Sequence, residues 1–184
     1  DWSSDVCSSD LANDINAGAP IFVNEGTDYA VFTVNSGAGQ YVSLSLADGT
    51  AKVAASTPVP DGSQDYGPGI EYYNGTSWAT YNPATDLGGG AGFVQVPVGG
   101  ILLVRTAIIH DPLREAAAGE TFTLTVDNKG GTSSTITATI NDDGTGTKWS
   151  FAGNTDPGTP SSGPGAGFDD EDRKSTRLNS SHVK

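Results

Sequence analysis

Three clusters of acidic residues fall where alternating apolar runs stop. Val23-Asn24-Glu25-Gly26 closes the first run. Ile108-Ile109-His110-Asp111-Pro112-Leu113-Arg114-Glu115 leads towards Gly119-Glu120-Thr121-Phe122, and Ala138-Thr139-Ile140-Asn141-Asp142-Asp143-Gly144 closes the last. Carboxylates gathered at one end of a fold repel one another unless a cation joins them. Calcium suits such a gathering, because it takes about six to eight oxygen ligands from carboxylates, backbone carbonyls and water. Singly, each cluster has a plainer meaning. Asp142-Asp143-Gly144 and Glu25-Gly26 are turn sequences, and Asp111-Pro112 opens a loop. Jointly, placed at strand ends, they point to a bound cation.

The same inventory argues against catalysis. Between residues 12 and 171 there is one histidine, His110, and no cysteine, so a Cys–His pair cannot be assembled. A Ser–His–Asp triad would need His110, and its neighbours Ile109 and Asp111 form no nucleophile elbow. Glu71 lies beside Tyr72, Tyr73 and Trp78, so counting acids does not exclude paired carboxylates acting on a sugar. The aromatic group Tyr72, Tyr73, Trp78 and Tyr81 has two readings: the packed face of a hairpin, or a platform on which sugars stack. The second would make this a carbohydrate-binding module, and it requires several rings to face solvent. Asn74-Gly75-Thr76 is a formal glycosylation sequon, but Asn-Gly is also a strong hairpin turn. The expectation is a non-enzymatic protein.

The elements that would position these residues are strands. Apolar residues alternate in PIFVN (20–24), DYAVFTV (28–34), QYVSLSL (40–46), GFVQVPV (92–98), ETFTLTVD (120–127) and STITATI (134–140). IEYY (70–73) and SWATY (77–81) flank Asn74-Gly75, and ILLVRTAII (101–109) is a longer apolar run. Helix signals are confined to LREAAAGE (113–120), which Gly119 would stop after a turn or two. Short strands at near-regular spacing predict an all-β fold, an immunoglobulin-like antiparallel β-sandwich of about 7–9 strands. The start of the first strand, the loop before the penultimate one and the end of the last can share one pole of such a sandwich.

The ends stand apart. Residues 1–11, DWSSDVCSSDL, and 172–184, DRKSTRLNSSHVK, both resemble conceptual translations of one short-read sequencing adapter, read from opposite strands. Such residues are set aside from fold reasoning. The sandwich is then expected over 12–144, and the Gly/Pro/Asp-rich stretch 145–171 reads as a linker that buries too little apolar surface to order itself. Trp149 and Phe151 are placed to pin its start to the domain edge. Of the chain's 22 acids and 9 bases, 18 and 5 remain, so the net charge stays at −13. So acidic a surface excludes phosphate-backbone recognition, and therefore nucleic-acid partners. No apolar run is long enough for a membrane span. Without cysteine, extracellular stability must come from packing, ions or neighbouring domains.

Several segments, taken in order, resemble the Calx-β repeat: VNEG followed by AVFTV, LADGTA (46–51), QDYG (64–67), VPVGG with VRTAIIHD, GETFTLTV and ATINDDG. Together they span residues 20–144. The resemblance implies a seven-stranded sandwich that binds calcium at one pole, with Glu25, Asp48, Asp111, Glu115, Asp142 and Asp143 as ligands. The chain departs from the pattern where Ile109-His110-Asp111 replaces a run of acids, since histidine is a poor calcium ligand. It is also longer between Ala51 and Val94, where the aromatic hairpin is inserted. Similar modules occur in tandem in giant bacterial secreted and surface proteins. The expectation is therefore a calcium-binding stalk repeat of an extracellular adhesin-like protein. Its partners would be neighbouring repeats of the same chain, with surface glycans or other cells as further candidates.

Overall fold

The computed structural model describes residues 18–55, 63–85, 92–110, 119–143 and 145–149. Asp111, Glu115, the helical turn expected from Leu113, Phe151 and both adapter-like ends lie outside the described residues. Among the described residues nine strands form and no helix does, so none is long and apolar enough to cross a membrane. The strands are β1 (Ile21–Asn24), β2 (Tyr29–Asn35), β3 (Tyr41–Asp48), β4 (Glu71–Tyr73), β5 (Trp78–Thr80), β6 (Val94–Gln95), β7 (Ile101–Ala107), β8 (Glu120–Asn128) and β9 (Ser133–Asn141). They form two sheets, ordered β1-β9-β8-β3-β6 and β2-β7-β4-β5. The result is an immunoglobulin-like β-sandwich.

Alternation explains which face each strand buries. Ala30, Phe32 and Val34 of β2 are fully buried, as are Phe122, Leu124 and Val126 of β8. Ile136, Ala138 and Ile140 of β9 complete the layer between the sheets. Phe32 of one sheet meets Phe122 of the other edge to face, with ring centroids 5.9 Å apart. On the outer side, Thr121, Thr123 and Thr125 lie opposite Thr139, Thr137 and Thr135. β-Branched hydroxyl side chains tolerate both water and the pleat, which is what a half-exposed sheet needs.

Three features differ from the sequence expectation. β1 pairs parallel to β9, from Ile21 opposite Ala138 to Asn24 opposite Asn141, so the sandwich is not wholly antiparallel. The run 92–98 contributes only a two-residue strand, because Pro97 cannot donate to a ladder and ends the edge there. The fold also extends past residue 144. Thr147 pairs with Val23 on the flank of β1 away from β9, and Trp149 packs against the core. Residues 145–149 are thus held against the edge of the sandwich. Trp149 supplies the apolar anchor and Thr147 the backbone pairing.

Candidate functional site

The parallel register of β1 and β9 brings two acidic clusters together. Asn24 lies opposite Asn141, and the next amide, that of Glu25, donates to the Asn141 carbonyl at 3.0 Å. Glu25 is only 4% exposed, whereas Asp142 is half-buried and Asp143 exposed. β3 runs antiparallel to β8 and ends on Asp48, opposite Phe122, so Asp48 arrives at the same end of the sandwich. His110 closes the neighbouring corner, its Nε2 donating to the Thr27 carbonyl at 2.9 Å. One end of the sandwich thus carries Glu25, Asp48, Asp142 and Asp143. It is the end of β1, not the start expected from the sequence, that meets the end of β9. Asp111 and Glu115 follow His110 and lie outside the described residues.

These carboxylates differ in what already occupies them. Asp48 Oδ1 accepts the Tyr66 hydroxyl at 2.6 Å and the Val53 amide at 3.0 Å. The Tyr66 bond, helped by that amide and by Lys52, holds the Asp48 carboxyl below its ordinary value. Asp143 Oδ1 accepts both the hydroxyl and the amide of Thr145, and these two bonds lower it as well. An all-oxygen donor set suits calcium chemically. Yet among the described residues no three acidic or histidine groups stand together closely enough to hold an ion. The donor chemistry alone suits an ion; the described residues do not by themselves assemble a site for one.

Segments 51–55 and 63–67, the described parts of the stretch between β3 and β4, are tied to both sheets at this pole, and only part of this was legible. Ala51 N–H donates to the Thr121 carbonyl at 2.9 Å, and Gly67 N–H to that of Ala107 at 2.8 Å. The Asp65 carboxylate accepts the Lys52 amide at 2.5 Å, while Asp65 itself is 6% exposed. Between these ties Tyr66 inserts its ring flat on Phe122, with centroids 4.2 Å apart and an angle of 13°. Burial, then the bond and charge of Asp48, push the Tyr66 phenol well above its ordinary range. An aromatic residue flanked by Asp65 and Gly67 was the available signal. Its place between Asp48 and Phe122 is a contact that no periodicity describes.

The aromatic hairpin is divided by the pleat. β4 and β5 pair through Tyr73 opposite Trp78, and the intervening Asn74 receives the Thr76 and Ser77 amides on its side-chain oxygen. Gly75 supplies the positive φ of 96° that such a turn needs. Tyr72 points into the sandwich and packs on the core. Tyr81 is 7% exposed; its hydroxyl accepts the Leu44 amide at 3.1 Å and donates to the Gly92 carbonyl. Tyr81 is therefore a tie between sheets and no part of a sugar platform. Tyr73 and Trp78 pair on the outer face, both half-buried, with ring planes 58° apart. Two rings so inclined do not make one flat platform.

That outer face holds an arrangement the sequence reading missed. Arg105 of β7, 8% exposed, places its guanidinium 3.9 Å from the centre of the Tyr29 ring and 4.3 Å from that of Trp78. Its Nε donates to Glu71 at 2.5 Å, and Glu71 is its register partner on β4. Glu71 is thus paired to a cation rather than to a second carboxylate. A lone arginine within the apolar run 101–109 was the signal.

No protein-family model matches this sequence, and no curated protein does. Among solved structures, the Pseudomonas aeruginosa CupB2 chaperone aligns at 14% identity over 67% of this chain and 53% of its own, with a TM-score of 0.38. The tandem Ig repeats of Dlar align at 16% identity over 70% of this chain and 46% of theirs, with a TM-score of 0.30. A structure from the aggregative adherence fimbriae of enteroaggregative Escherichia coli aligns at 19% identity over 70% of this chain and 97% of its own, with a TM-score of 0.31. This chain spans about half the length of the first two. At such scores the alignments say nothing of function, and the fold assignment rests on the two sheets.

Proposed function

We propose that this domain is a non-catalytic structural repeat of a large secreted or surface-exposed bacterial protein of adhesin type, stiffened by calcium at one pole. The observation that carries the reading is the Asn24–Asn141 register, which sets Glu25 beside Asp142 and Asp143 at the end of the sandwich where Trp149 also lies. His110, which Asp111 follows in the sequence, lies at that same pole. Carboxylates so placed repel until a cation joins them, and a Gly/Pro-rich continuation needs such a clamp to hold the next module at a fixed angle. The partners are neighbouring repeats of the same chain. With a net charge of −13, nucleic acid is not among them.

Calorimetric unfolding of the full chain in calcium and in chelator tests the cation. A ligand bound only by the folded state stabilises it by RT ln(1 + [L]/Kd), about 2.7 kcal/mol at a hundredfold excess over Kd. The melting temperature should rise with calcium. Equal melting in both conditions removes calcium from the reading and leaves a passive spacer.

A further inference from the structure

We propose that β1, gripped between β9 and residues 145–149, is a shear-loaded clamp that lets this domain carry tension along its length. The inference rests on the stalk reading for its setting, since a stalk is pulled from both ends, but it does not rest on the cation.

The geometry begins with where the chain comes in and where it leaves. Gly18 approaches the carbonyl of Thr33, in the distal half of β2. Trp149 leaves beside Asp28, whose amide donates to the Trp149 carbonyl at 3.0 Å. Asp28 and Thr33 are separated along β2 by roughly 17 Å at the rise of an extended strand. Tension applied through the two flanking segments therefore pulls β1 one way and residues 145–149 the other.

Those two segments run parallel and are bonded side by side. Thr147 N–H donates to the Phe22 carbonyl at 2.9 Å, and Asn24 N–H donates to the Thr147 carbonyl at 3.1 Å. The Asn24 side-chain amide donates to the Thr145 carbonyl at 3.2 Å. The Trp149 amide donates to the Thr27 hydroxyl oxygen at 2.6 Å. On its opposite flank β1 is parallel to β9 from Ile21 to Asn24. Parallel neighbours pulled from opposite ends load all these bonds together, so the bonds must fail together. Neighbours pulled from the same end are peeled one bond at a time.

Packing adds an interlock. Gly146, at φ +100°, crosses directly over the backbone of β1. A Cβ placed there would stand 2.6 Å from the Val23 carbonyl carbon and 2.8 Å from the Asn24 nitrogen, so only glycine allows this approach. Beyond it, Trp149 is seated against the core and resists being drawn along the sheet.

Single-molecule force spectroscopy on the full chain tests the clamp by changing only the direction of pull. In one geometry the chain is held by its two termini. In the other it is held by its N-terminus and by Ser133→Cys at the exposed start of β9, with Cys7→Ser making the attachment unique. The folded protein is otherwise the same, so equilibrium stability cannot explain a difference. The terminal geometry should need a several-fold higher unfolding force, and Gly146→Ala should lower that force by more than it lowers the force in the Ser133 geometry. Equal forces in the two geometries overturn the proposal. So does a difference that disappears in chelator, because the resistance would then belong to the cation. A chain that melts identically in calcium and chelator yet keeps the difference refutes the cation and leaves the clamp standing.

Discussion

The Asp48 carboxylate accepts the phenol of Tyr66 at 2.6 Å, although Asp48 is exposed and Tyr66 is 1% exposed. The pair joins the last residue of β3 to the segment 63–67 at the acidic pole. The Tyr66 value is raised in the folded state, so the folded phenol keeps its proton where the unfolded one has lost it. Its contribution is complete below the unfolded value of about 10 and is lost as pH rises towards the folded one. Asp48 acts in the opposite direction. Its lowered value gives stability that is present above about 3.9 and lost as pH falls. The denaturant midpoint should therefore decline above about pH 10, and Tyr66→Phe should flatten that alkaline limb. An unchanged alkaline limb in the variant would place the loss elsewhere.

Position sorts the acids of the pole into two groups, since Asp48 ends β3, two strands in from the β1–β9 edge that carries Glu25, Asp142 and Asp143. Asp48 is committed to Tyr66 and Val53, so Asp48→Asn should lower stability by about 1 kcal/mol while preserving the shift between calcium and chelator. Asp142→Ala with Asp143→Ala, and separately Asp111→Asn, should abolish that shift. Glu25 is buried beside Asn141, so Glu25→Gln keeps the shape of the site and tests its charge. Differential scanning calorimetry with and without calcium reads all four variants. A calcium shift that survives every one of them would mean that the acids gather for reasons unrelated to a cation.

How much of this could be read in advance follows from what each signal encodes. The strands were legible because alternation along β2, β8 and β9 directly states which side chains are buried. The convergence of strand ends on two poles was legible, although the expectation put the start of the first strand at this pole and Glu25 follows its end. The pairing direction of β1 was not, since a four-residue strand carries no mark of its partner. The division of the hairpin aromatics was in principle available: Tyr72 and Tyr73 are adjacent, and adjacent strand residues face opposite ways. Composition concealed the role of residues 145–149, because a glycine-rich stretch reads as linker whether or not Thr147 pairs with Val23.

Tyr81 was grouped with the sugar-stacking rings, and the structure gives it a role that a conservative change can isolate. Its hydroxyl links the Leu44 amide of one sheet to the Gly92 carbonyl that follows the hairpin sheet, at buried positions. Tyr81→Phe keeps the ring and strands both partners. Removing one side of a buried hydrogen bond costs about 1–3 kcal/mol, so urea denaturation should show a loss within that range. A loss much smaller than this would mean that water takes the place of the hydroxyl.

Arg105 offers the sharpest choice between a structural outer face and a glycan site. Its guanidinium lies between the Tyr29 and Trp78 rings and is fixed by Glu71, whose side chain is about one third exposed. A cation seated on aromatic faces contributes about 0.5–2 kcal/mol depending on how far it is desolvated, and the partly exposed ion pair adds little more. Arg105→Ala should therefore cost about 2 kcal/mol, through the stacking as well as through an unpaired Glu71. Lysine retains the charge but not the planar group that lies between two rings, so Arg105→Lys should recover only part of that loss. Trp78→Ala should destabilise by a comparable amount, and the double variant with Arg105→Ala should cost less than the sum, as expected for residues in contact. Additive losses would show that the stack contributes nothing to folding. Isothermal titration of the wild-type chain with neutral and acidic oligosaccharides completes the comparison. Under the structural reading it gives no heat of binding, whereas binding that Trp78→Ala removes would assign this face to a glycan instead.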